Sequence, residues 1–146
     1  DGLTPLCIAI KNDHKDIVSA LISAGADIYQ ADKNGMTPLY TAAWFGHQNI
    51  VLRLISAGAD FNQGDKDGLT PVSDINQYGS TPLNTAAENG DQDIVLALIT
   101  AGGDINQGAE YGSTPVYIAV ENGHKDIVST LIAAGADFVN QENKGL

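Results

Sequence analysis

The sequence predicts an all-α solenoid of stacked antiparallel helix pairs joined by finger loops of β-hairpin type. Three observations carry that prediction. Thr-Pro followed by an aliphatic residue starts at Thr4, Thr37, Thr70, Thr81 and Thr114, at intervals of 33, 33, 11 and 33 residues. Asp-Ile-Val recurs at 16–18, 93–95 and 126–128, with Asn49-Ile50-Val51 as a variant. Ala-Gly-Ala-Asp recurs at 24–27, 57–60 and 134–137, with Ala101-Gly102-Gly103-Asp104 between the last two. Blocks that keep one phase over four copies mark a repeat, and a period of about 20–50 residues marks a solenoid or array.

Each block has a mechanical meaning. Thr before Pro starts a helix, because the hydroxyl caps free backbone N–H groups and Pro has none to lose at the first helical position. Leu39, Ala42 and Ala43 then fall on one helical face, as do Leu83, Ala86 and Ala87. The alanines leave room for a neighbouring unit to approach closely. Gly46, Gly90 and Gly123 end the first helix. Asp16, Asp93 and Asp126 stand in the first turn of the next, where a carboxylate complements the helix dipole. Ile50, Val51, Leu54 and Ile55 give that second helix its apolar stripe, and Gly25, Gly58, Gly102 and Gly135 stop it. The polar, Gly-rich stretches that remain, such as 60–68, suit a turn or β-hairpin. One such unit cannot bury its own apolar surface, so units must stack to share a core.

On these residues the chain resembles the ankyrin repeat, a 33-residue unit of a β-turn and two helices with a Thr-Pro-Leu-His signature. The resemblance extends over essentially the whole chain. It implies an ankyrin-repeat solenoid whose task is to bind other proteins, with the partner lying across the finger tips and the exposed edge of the first helices. It says little about which partner, since one fold hosts many functions.

Several positions depart from the family pattern. Cys7, Tyr40, Ser73, Asn84 and Tyr117 stand where the family has His, which removes the bonds that His makes between repeats. Asp13 replaces the first interhelical Gly, so that turn is expected to be strained. The 11-residue interval falls 22 residues short of a repeat, about one helix pair. It reads either as a doubled finger or as a helix pair missing from the sequence. The whole chain, 1–146, is expected to form one domain, with units near 1–31, 32–64, a truncated 65–75, 76–108 and 109–141, and the start of another at 142–146. Ile8 and Ile10 do not suit a polar capping unit, so a longer parent array is expected.

Composition narrows the function. Hydrophobic residues make up 43% of the 146, enough for a core, and the net charge is −11. That field disfavours nucleic acid and anionic membrane surfaces and attracts a protein or peptide with a basic face. Cys7 is the sole cysteine, so no internal disulfide can form, and the cytoplasm is the expected compartment. No stretch has the form of a signal peptide or a membrane span.

No catalytic motif, phosphate loop or dinucleotide fingerprint is present, so the expectation is a non-enzyme with no cofactor and no small-molecule substrate. His14, His47 and His124 occupy one repeat position. They should therefore lie on the order of 10 Å apart, too far to share a zinc ion whose ligands stand at about 2.0–2.1 Å. The stretch 63–74 has the outline of a calcium loop but lacks its first Asp and its final Glu. The expected partner-binding residues are Lys11, Lys33, Asn34, Met36, Trp44, Phe45, Tyr78, Glu88, Asn89, Tyr111, Glu121 and Asn122. Trp44 stands out, because other units place Lys11, Glu88 and Glu121 there and no core position demands a ring. The competing expectation is a structural spacer within a larger multidomain protein.

Overall fold

The computed structural model describes residues 2–59, 80–108 and 113–138. Within them lie eight helices: α1 (Pro5–Lys11), α2 (Lys15–Ser23), α3 (Pro38–Trp44), α4 (Gln48–Ser56), α5 (Pro82–Asn89), α6 (Gln92–Thr100), α7 (Pro115–Glu121) and α8 (Lys125–Ala133). The threonine caps explain where the first helix of each pair begins. Thr4, Thr37 and Thr81 hydroxyls accept from the backbone N–H of Cys7, Tyr40 and Asn84 at 3.1, 3.2 and 3.2 Å. Thr114 holds the same extended backbone but makes no such side-chain bond, and nothing in the structure explains the difference. Asp16, Asp93 and Asp126 lie in the first turns of α2, α6 and α8, as the dipole argument expects.

The odd-numbered helices pack in series, α1 on α3, α3 on α5 and α5 on α7, while α2, α4, α6 and α8 form a second layer behind them. The pairs on either side of the short interval are therefore direct neighbours in the stack. Between the layers runs one continuous core that includes Leu39, Leu54, Leu83, Leu98 and Leu131. Ala42, Ala43, Ala86 and Ala87 are fully buried, as close approach of adjacent first helices requires.

Asp13 adopts φ +55°, so the left-handed turn expected of the missing Gly is kept by a residue with a Cβ. Aspartate is among the few residues that tolerate this region. Its carboxylate lies 3.6 Å from both Lys15 Nζ and His47 Nδ1.

Among the described residues none lies in a strand, so the fingers are seen there as turns. In the first finger the Asp27 carboxylate accepts from the N–H of Tyr29 and Gln30 at 2.8 and 3.2 Å. The buried Asp32 carboxylate accepts from Asn34 and Met36 at 2.8 and 3.1 Å, and Asp32 N–H donates to the Met36 carbonyl at 3.0 Å. Asx turns of this kind offer the backbone a local alternative to a ladder. The truncated unit 65–75, the calcium-like stretch 63–74, the start of a further unit at 142–146, Tyr78 and Tyr111 lie outside the described residues.

Candidate interaction surface

The candidate binding residues sit at three kinds of place: the first finger, the C-terminal ends of the first helices, and the turns that follow them. At the finger, Lys33 and Asn34 are exposed and Met36 is half-buried. Lys33 crosses the preceding finger closely, since a Cβ at Gly2 would lie 2.7 Å from its Cγ. Lys11, at the end of α1, reaches Asp32 with Nζ 3.9 Å from Oδ2, so part of its charge is met within the fold.

Trp44 and Phe45 close α3. Trp44 is half-buried and stacks on Tyr40, ring centroids 6.2 Å apart and planes at 21°. That contact lies on its own helix, one turn back. Phe45 is 46% exposed and stacks on His47 at 5.9 Å. The two rings are thus held by neighbours on one side and reach solvent on the other.

Glu88, Asn89, Glu121 and Asn122 are exposed at the ends of α5 and α7. The asparagines also serve the fold. Asn89 Nδ2 donates to the Trp44 carbonyl at 3.0 Å, tying α5 to α3, and Asn122 Nδ2 donates to the Ile118 carbonyl at 2.9 Å. Along the stack, the candidate residues run from two lysines through two aromatics to two glutamates. Two lysines thus stand at one end of the described candidate set and two glutamates at the other.

The three histidines stand just before α2, α4 and α8, none making a side-chain cap. His124 Nε2 lies 2.9 Å from the Glu88 carbonyl and so links adjacent units. Asp91 takes the equivalent place in the third pair, where burial raises its carboxyl above the usual value; Asp93 adds to the rise and His124 opposes it. Cys7 is buried, in keeping with a core role.

Replacing the family's His leaves a mark between α3 and α5. Burial raises the Tyr40 phenol, the Thr85 hydroxyl opposes that shift, Glu88 adds to it and Ser80 opposes it. Yet the Tyr40 and Thr85 hydroxyls and the fully buried Asn84 amide find no hydrogen-bond partner of good geometry among the described residues. An unmet buried polar group costs about 1–3 kcal/mol. Large apolar side chains that the expected binding set omits are also exposed: Ile8, Ile17, Leu52, Leu96, Tyr117 and Val120. Their repeat positions could have flagged Leu52 and Leu96, which replace Ser19 and Ser129. The others carry residues typical of covered positions.

A family model for ankyrin repeats, three copies in length, matches residues 1–65 and again 68–142. The chain belongs to the ankyrin-repeat family. Ankyrin repeats are in general protein–protein interaction modules, typically without catalytic activity. No curated protein matches this ankyrin-repeat chain. No helix among its described residues is long and apolar enough to cross a membrane.

Proposed function

We propose that this ankyrin-repeat chain is a non-catalytic module that binds a partner protein across its finger tips and first-helix edge, in the cytoplasm. All units act as one array, and Trp44 and Phe45 form the anchor. The partner carries an apolar group for the rings and a basic patch for the end bearing Glu88 and Glu121. The observation that supports this is the aromatic pair itself: half-covered Trp44 stands where other units have Lys11, Glu88 and Glu121, and exposed Phe45 where they have Asn12, Asn89 and Asn122. Partly exposed aromatics of this type concentrate binding energy.

The test begins with affinity capture by the wild-type chain and by Trp44→Ala, compared by quantitative mass spectrometry. A partner depleted by the variant is then titrated calorimetrically. Trp44→Ala is expected to weaken it by about 2 kcal/mol, roughly 30-fold in Kd. The fold should lose less than the roughly 3–5 kcal/mol of a core aromatic, since Trp44 is only half-buried. Association should also slow as salt is added. Equal capture by both proteins, or loss of folding with unchanged binding by the folded fraction, counts against Trp44 as the anchor, whereas capture of no partner by either protein favours a spacer.

A further inference from the structure

Asn-Gly occurs three times in the chain, at Asn34-Gly35, Asn89-Gly90 and Asn122-Gly123. The pair is reactive in itself, because a glycine nitrogen with no Cβ beside it can reach the side-chain carbonyl of the preceding asparagine. A fold adds restraints, and the three copies differ in theirs. All three asparagines are exposed, so water reaches each of them. All three glycines take positive φ and donate their N–H to a carbonyl, Gly35 to Asp32 at 3.0 Å, Gly123 to Val120 at 3.1 Å and Gly90 to Ala86. Neither property separates the sites.

The asparagine side chains do. Asn89 Nδ2 donates to the Trp44 carbonyl at 3.0 Å, and Asn122 Nδ2 to the Ile118 carbonyl at 2.9 Å. Each amide is held on an oxygen that must be released before the glycine nitrogen can attack. Asn89 is also the last residue of α5, and Asn122 caps α7 with its N–H on the Ile118 carbonyl at 3.0 Å, so a helix end must loosen as well. Asn34 lies in the first finger, and its amide makes no hydrogen bond among the described residues. The turn around it is closed by one side chain, the Asp32 carboxylate, which accepts from the N–H of Asn34 and Met36. Such a loop opens locally at less cost than a packed helix.

We propose that Asn34 is a site of spontaneous modification, losing its side-chain amide in the folded protein while Asn89 and Asn122 keep theirs. Base removes the Gly35 N–H proton, and the nitrogen bonds to Asn34 Cγ. The Cγ–Nδ2 bond breaks, Nδ2 takes up a proton and leaves as ammonia, and a cyclic succinimide remains. Water then opens the ring at one carbonyl to give aspartate at position 34, or at the other to give its β-linked isomer. No oxidant or cofactor takes part. Either product adds one negative charge to a chain already at −11, next to Lys33. The β-linked product also lengthens the backbone of the turn, so the Asp32 carboxylate no longer meets both N–H groups in the same geometry. One hydrogen bond broken before attack slows a step about fivefold and the helix end adds to this, so Asn34 should react at least about tenfold faster than either other site.

Ageing the purified protein at mildly alkaline pH, with peptide mass spectrometry at intervals, follows each site separately. An isoaspartate-specific methyltransferase labels the β-linked product. The same chain held unfolded in urea is the reference, since all three pairs are unrestrained there and should react at similar rates. The folded protein is expected to convert Asn34 first, to a mixture of both products, with a more acidic species growing on ion exchange and a rate that falls at mildly acidic pH. Asn34→Gln, whose side chain must close a larger ring, should lack that species, and melts that overlay wild type establish that it folds. Asn89 or Asn122 converting as fast as Asn34 in the folded protein overturns the proposal. So does an Asn34 that stays intact after the unfolded chain has reacted, or an early acidic species that persists in Asn34→Gln.

Discussion

Replacing Leu54 by alanine is expected to destabilise the array by about 3–4 kcal/mol, near the middle of the range for truncating a buried leucine. Leu54 is fully buried on α4, and α4 packs against α2, α3 and α6. The side chain sits in the core shared between these helices, where a cavity relaxes only in part. Leu52→Ala on the same helix is the control. Leu52 is exposed, and a surface change of this kind is worth within about 0.5 kcal/mol. Urea melts followed by circular dichroism should separate the two midpoints widely, and Trp44 fluorescence reports the same transition beside α4. Equal losses for the two leucines would mean that the packing of α4 is wrongly assigned.

Gly90→Ala is expected to cost about 3 kcal/mol, and Gly123→Ala about half as much. Both glycines end a first helix with positive φ, +81° and +73°. A non-glycine residue held there costs about 1–2 kcal/mol in backbone strain alone. At Gly123 nothing stands within 4 Å of a new Cβ, so strain is the whole effect. At Gly90 the methyl would fall 2.8 Å from His124 Cε1, and the ring must move off the Glu88 carbonyl that it contacts. Losing that bond adds about 0.5–1.5 kcal/mol. Denaturant melts of the two variants check the ranking. A Gly123→Ala loss equal to or larger than that of Gly90→Ala contradicts the account of His124 as a link between units.

The fold was legible because its determinants are local and repeated. Thr4, Thr37 and Thr81 cap helices as their Thr-Pro context implies, and Asp13 takes the left-handed turn that its place demands. Thr114 carries the same motif without the side-chain bond, which its sequence context could not reveal. The candidate surface was legible only in part. Trp44 was marked by its oddness in a charged file, but its contact with Tyr40 is a matter of rotamer and neighbour. Asn89 was assigned to binding, yet its amide reaches across to the Trp44 carbonyl, a link between residues 45 positions apart. Tyr117 and Val120 escaped notice for a related reason. Their motif positions are covered elsewhere in the chain, and only their place in the stack leaves them open. Repeat sequence encodes what one unit looks like; exposure depends on what stands beside it.

A protein partner seated on the finger and first-helix edge around Trp44 would shield that backbone from solvent. Hydrogen exchange with and without the captured partner tests it most directly, because protection maps the contact without altering a residue. Protection is expected at residues 33–36, 44–45, 88–89 and 121–122, with the α4 and α6 backbone around Leu52 and Leu96 unchanged. Protection confined to α4 and α6, with the segment around Trp44 exchanging as in the free chain, contradicts it.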